Sequence, residues 1–187
     1  MEDIIFSAKQ VQGKKALFGK GRFALQNVDF ELPSGYIMGI IGENGAGKTT
    51  FFRYIMEERS IIAAALSGRN RYRGDHAWSM NRIGFVSEER LFLRQKSARE
   101  NARMLGSFYD TFDMDQFAAL MEQMDLTTAR TVEKMSRGEN MKFQLAFALA
   151  HKPRLLLLDE PTAGMDPIFR KDFTGCSGSS WKCWTVP

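Results

Sequence analysis

Two periods run through the apolar positions of this chain. Phe23, Leu25, Val28, Phe30 and Leu32 roughly alternate with polar residues, which predicts a half-buried strand over Phe23–Leu32. Ile4–Gln10 reads as a shorter strand ahead of it. Pro33-Ser34-Gly35 is a turn signal leading into Tyr36–Ile41, an apolar run of the length of a buried strand. Ile83–Val86 and the all-leucine run Leu155–Leu158 have the same character. Helical stretches lie between them: Thr50–Glu58, Ser97–Ser107, Asp113–Met124, and Arg137–His151, which Pro153 stops. Ile61–Leu66 is apolar but too short to assign, and no internal repeat is visible. Strands apolar on both faces and separated by helices predict an α/β fold with a mainly parallel sheet. Such sheets bind ligands beyond the carboxyl ends of their strands.

The 187 residues suffice for one domain with a real core, and 44% hydrophobic with 26% charged residues reads as a soluble globular chain. No apolar run approaches the ~20 residues of a membrane helix. The start, Met1 to Phe6, is acidic and has no secretory pattern. Cys176 and Cys183 lack metal-ligand spacing and are expected to stay reduced in a cytoplasm. The net charge of +4 suits an acidic partner without choosing one. The arginines of the Gly68–Gly74 loop read as a solvated surface rather than a nucleic-acid patch.

Candidate chemistry begins after Ile41. Gly42-Glu43-Asn44-Gly45-Ala46-Gly47-Lys48-Thr49-Thr50 matches G-x-x-x-x-G-K-[ST] in full, between a strand-like and a helix-like segment. Glycines at 42, 45 and 47 let the backbone turn tightly and aim its N–H groups at phosphate oxygens. Lys48 supplies a charge for the terminal phosphates, and the Thr49 hydroxyl can ligate Mg²⁺. The helix that follows adds its positive N-terminus to the anion site. A triphosphate nucleotide with Mg²⁺ is the ligand this loop fits.

Leu155–Leu158 delivers Asp159 and Glu160 to a strand tip. Asp159 is placed to reach Mg²⁺, usually through water. Glu160 points to the other side of the tip and can polarise the water that attacks the terminal phosphate. Ser136 and Glu139 have the spacing of a capping box ahead of the Arg137–His151 helix. That spacing alone accounts for both residues, but a helix start with Ser136 and Gly138 also lets a phosphate approach.

Together these segments resemble the nucleotide-binding domain of ATP-binding cassette (ABC) transporters, in that family's order: the phosphate loop Gly42–Thr50, the signature-like Met135–Glu139, the Leu155–Glu160 strand, and the D-loop-like Ala163–Asp166. The resemblance covers about residues 2–172, with 173–187 as a divergent tail. It implies a P-loop NTPase core with an N-terminal antiparallel β subdomain and a helical subdomain inserted at about 90–140. It also implies two cassettes packed head to tail, each ATP held by one subunit's phosphate loop and the other's Ser136 and Gly138. Asp166 would communicate across that dimer. Glu160, Lys48 and Glu88 are then the candidate catalytic residues, with Thr49, Asp159 and Glu88 toward the metal. Phe18 is the candidate adenine stacker, although Phe23 fits too, with a core role equally open to it. The implied partners are a second cassette and an integral membrane permease subunit, met around Ser87–Lys96. Leu91, Phe92 and Leu93 are apolar candidates for that contact, or simply pack inside the subdomain. No nucleic acid is expected. The implied location is cytoplasmic, peripheral at the inner face of the cell membrane.

Three departures from the family pattern matter. Glu88 stands where the family usually has Gln, adding negative charge near the phosphates. Met135, Arg137 and Glu139 replace three positions of the commonest Leu-Ser-Gly-Gly-Gln signature, a form that resembles bacterial exporter subunits. The family's next strand carries a His that contacts the γ-phosphate, yet the only histidines are His76 and His151, and neither lies after Asp166. With Cys176, Cys183, Trp181 and Trp184 crowded beyond Phe173, the expectation is a truncated or frameshifted product lacking its last core strands. The function implied is ATP hydrolysis coupled to transport through a separate membrane subunit. The alternative is a nucleotide-binding module with little or no hydrolysis, regulatory or a remnant.

Overall fold

Strand β1 (Ile4–Val11) pairs antiparallel with β2 (Val28–Pro33), in a register that sets Ile4 against Pro33 and Ala8 against Phe30. Pro33 ends its strand, where a missing N–H costs the ladder least. Helix α1 (Lys48–Glu57) follows in the same part of the chain. The computed structural model describes residues 4–11, 28–33, 38, 40, 43, 47–57, 81–87 and 91–159. The chain divides into two compact units, Met1–Met80 and Asn81–Pro187. Ile61–Leu66, the Gly68–Gly74 loop and the tail from 173 lie outside the described residues.

Of the apolar run Tyr36–Ile41, only Met38 and Ile40 are among the described residues, in no strand; the rest of the run lies outside them.

In the second unit, β3 (Ile83–Val86) runs parallel to β4 (Leu155–Leu158), with Ile83 opposite Leu155 and Val86 opposite Leu158. Helices α2 (Ala98–Gly106), α3 (Met114–Gln123) and α4 (Arg137–Ala150) complete it, with a 3₁₀ turn at Val132–Lys134. Caps fix these ends. Ser97 opens α2, the Asp113 carboxylate accepts from the N–H groups of Asp115 and Gln116 to open α3, and Ser136 opens α4. The helices read from the sequence thus match within a residue or two, their terminal residues serving as caps.

The core gathers on α3 and α4: Phe117, Leu120, Met121, Met141 and Phe143 are all essentially sealed from solvent. Phe92 meets Phe143 and Phe147 edge-on, with ring centroids 4.6 and 5.0 Å away. It is therefore a core residue, whereas Leu91 and Leu93 stand exposed. Helix α4 lies close against β3 because Gly84 has no side chain. A Cβ there would sit 2.7 Å from Leu156 Cδ1 and 3.2 Å from Ala148 Cβ. At the far end of α4, the buried His151 stacks on Tyr109 (centroids 4.3 Å apart) and its Nε2 lies 3.2 Å from the Ile83 carbonyl. Burial pushes its pKa below the ordinary value, against the nearby Ile83 and Phe147 carbonyls. Among the described residues, no helix is long and apolar enough to cross a membrane.

Candidate nucleotide-binding site

The phosphate loop shows its decisive turn at Gly47, whose φ of 93° lies where a side chain would be strained. The helix then begins at once, with the Phe51 N–H donating to the Gly47 carbonyl at 2.8 Å. It starts two residues earlier than the sequence suggested, because Gly47 turns the chain directly into helical geometry. Lys48, Thr49 and Thr50 therefore form its first turn, whose N–H groups have no partner within the helix. Lys48 Nζ donates to the Glu43 carbonyl at 3.0 Å, so the ammonium is folded back over the loop. Burying Phe51 anchors this first turn from behind. Gly42, Asn44, Gly45, Ala46 and Phe18 lie outside the described residues.

The second unit places Asp159 directly after β4, buried, with its N–H bonded to the Val86 carbonyl at 2.9 Å. Asp159 thus extends the β3–β4 ladder by one residue and sits at the carboxyl end of both strands. Glu160, Glu88 and the segment Ala163–Asp166 lie outside the described residues. Among the described residues no group of three or more His, Cys, Asp or Glu could cage a metal. The Thr49 hydroxyl of the first unit and the Asp159 carboxylate of the second are each hard oxygen donors, the type that Mg²⁺ takes.

Ser136 caps α4 in a complete capping box. Its Oγ accepts from the Glu139 N–H at 3.2 Å, and Glu139 Oε2 accepts from the Ser136 N–H at 2.8 Å. Gly138, two residues into the helix, adds no side chain to this end. Hydrogen bonding to Ser136, and next to it the charges of Arg130 and Lys142, hold the Glu139 carboxyl below its ordinary pKa. A cleft of about 340 Å³ opens beside this terminus, lined by Phe92, Arg94, Glu133, Ser136 and Asn140 among others.

Two further groups were not apparent from the sequence. Gln144 Oε1 accepts from the buried Ser87 N–H at 3.2 Å, while its Nε2 donates to Asn140 Oδ1 at 2.8 Å. The end of β3 is thereby tied to the first turns of α4. Arg130 reaches Glu139 across nine positions, a separation that carries no sequence signal. His151, the one described histidine, is occupied at the rear of α4 and does not face its N-terminal end.

The family model described as "ABC transporter" matches residues 25–163. An uncharacterized ABC transporter ATP-binding protein, YhaQ of Bacillus subtilis, is 32% identical over 160 residues, covering 78% of this chain and 50% of that protein. The lantibiotic transport ATP-binding protein SrtF of Streptococcus pyogenes is 32% identical over 164 residues, covering 85% of this chain and 69% of that protein. The chain thus spans about half to two-thirds of the length of these relatives. Among solved structures, the ATP-binding cassette MJ0796, a post-hydrolysis dimer bound to ADP and Pi, superposes with a TM-score of 0.71 at 19% identity. It covers 90% of this chain and 79% of that one.

Proposed function

The chain belongs to the ABC transporter family of ATP-binding proteins, and from that premise we propose that it binds and hydrolyses ATP as the energy-coupling subunit of a transporter. The observation that carries this reading is the first turn of α1. A left-handed glycine, a lysine and a threonine meet there at a helix N-terminus, where N–H groups and the helix dipole favour phosphate. Lys48 leaves the Glu43 carbonyl for the β- and γ-phosphates. Thr49 and Asp159 would hold Mg²⁺, which would supply positive charge to the transferred phosphoryl group. Glu160 takes the proton of the attacking water, and Glu88 orients that water or the metal. Ser136 and Gly138 meet the γ-phosphate held by a second cassette.

The membrane permease docks around Ser87–Lys96. There Leu91 and Leu93 stand exposed, while Phe92 is turned into the core. Placement at the inner face of the cell membrane follows from that partner. In the full chain, Lys48→Ala should weaken ATP binding more than tenfold, and Glu160→Gln should keep binding while abolishing phosphate release. Folded protein that ignores millimolar ATP, or that is indifferent to Lys48→Ala, overturns the reading.

A further inference from the structure

We propose that Arg130 is a positioning residue for the phosphate-facing end of α4, neutralising Glu139 so that an acidic residue is tolerated where an anion must arrive. The proposal rests on the reading that Ser136 and Gly138 meet the γ-phosphate of a partner cassette. A carboxylate in the first turn suits the helix itself, since it complements the dipole and closes the capping box. It is a poor neighbour for a second anion, because like charges compete for the same positive end. In this chain the carboxylate is matched by a guanidinium. Arg130 Nη1 donates to Glu139 Oε1 at 2.7 Å, while Nε and Nη2 both donate to the Lys134 carbonyl at 3.2 and 2.9 Å.

The planar fork thus spans from the 3₁₀ turn to the first turn of α4, bracketing Met135 and Ser136. Glu139 Oε2 is left to hold the Ser136 N–H at 2.8 Å. The Ser136 hydroxyl accepts from the Glu139 N–H and is also hydrogen-bonded to the Glu139 carboxylate. The Arg130–Glu139 pair is partly exposed, so its direct contribution to stability is small. Its effect is the charge presented at the end of α4.

The test is a double-mutant cycle in the full chain, reading phosphate release against ATP concentration. Arg130→Gln should raise the half-saturating ATP concentration about fivefold, roughly the scale of one uncompensated charge at the edge of a protein site, while kcat changes less. The same change on a Glu139→Gln background should cost under about twofold, because no charge is left to offset. Raising KCl to about 0.5 M should shrink the Arg130→Gln defect, and Arg130→Lys should restore part of it. Equal costs in both backgrounds, or a defect indifferent to salt, overturns the proposal.

Ser136→Glu separates this from the reading beneath it. If that variant hydrolyses ATP like the parent, the assignment of Ser136 itself fails. If it is inactive while Arg130→Gln is silent, only the role of Arg130 fails. Should the parent release no phosphate, ATP-driven self-association of the Glu160→Gln chain, measured by sedimentation, gives the same comparison. Its absence overturns both.

Discussion

The second unit opens two of its helices with the same five-residue pattern, Ser-x-x-Glu-Asn, and puts it to two uses. At α2 the pattern is Ser97-Ala98-Arg99-Glu100-Asn101; at α4 it is Ser136-Arg137-Gly138-Glu139-Asn140. Both form full capping boxes. At α2 every group is turned back on the protein. The Ser97 hydroxyl donates to Glu100 Oε2 at 2.9 Å, and Lys96 takes the other carboxylate oxygen. The side chain of Arg99, two residues into the helix, bonds Thr128. Asn101 is sealed inside, accepting from the Leu93 N–H at 2.9 Å and donating to the Leu93 and Ser97 carbonyls. At α4 the second position is Gly138, the second carboxylate oxygen of Glu139 is taken by Arg130 from nine positions away, and Asn140 lines a cleft. The local motif thus specifies a helix start. The residue at the second position, and the partners of the Glu, decide whether that start is closed or presented.

The sharpest way to break this contrast is at the second position. Gly138→Asp should lower ATP turnover on the order of 100-fold, as removal of an aligned donor or crowding of a charged transition state does, with the folded state retained. Arg99→Asp, at the same place in α2, should leave turnover within about twofold because nothing approaches that terminus. Steady-state phosphate release and far-UV circular dichroism on both variants decide it. Equal losses would mean that the two helix starts serve the same purpose.

How far the sequence foretold this depends on range. The strands Ile83–Val86 and Leu155–Leu158, the helix start at Asp113 and the cap at Ser136 were legible because they are set by neighbours within a few residues. The twin at Ser97 has the same spacing, and a capping box by itself carries no chemistry. Phe92 could not be assigned from its apolar character alone; its place was settled by rings more than fifty positions away, Phe143 and Phe147. Gln144, bonded to Ser87 across 57 positions, and Arg130 were invisible for the same reason.

Asn101 offers a test by stability rather than turnover. Asn101→Leu leaves the Leu93 N–H without its partner and takes one of two donors each from the Leu93 and Ser97 carbonyls, which should cost about 2–4 kcal/mol. Asn140→Leu removes one bond at a partly open position and should cost about 1 kcal/mol or less. Urea unfolding midpoints at constant slope measure both. If Asn140 proved as costly as Asn101, the terminus of α4 would be as closed as that of α2.

The smallest effect is also the most local. Glu100 is drawn down to about 2, first by the Ser97 N–H and hydroxyl and then by Lys96, and Glu139 is lowered for parallel reasons, with Arg130 among the later causes. A carboxyl whose folded pKa lies below its unfolded value favours folding fully above about pH 4.5. That contribution is lost as pH falls through the folded value. Both boxes should therefore help hold the second unit through mild acid and release it only as their carboxyls protonate, with Glu100 the last to do so near pH 2. In Arg130→Gln the Glu139 pKa should rise, but only part of the way to its ordinary value because Ser136 still donates to it, while Glu100 stays where it is. Carboxyl-carbon NMR titration resolves the two. A Glu139 that does not move would show that Arg130 carries no field to this terminus. A Glu100 that moves as far would show that the two boxes are not electrically separate.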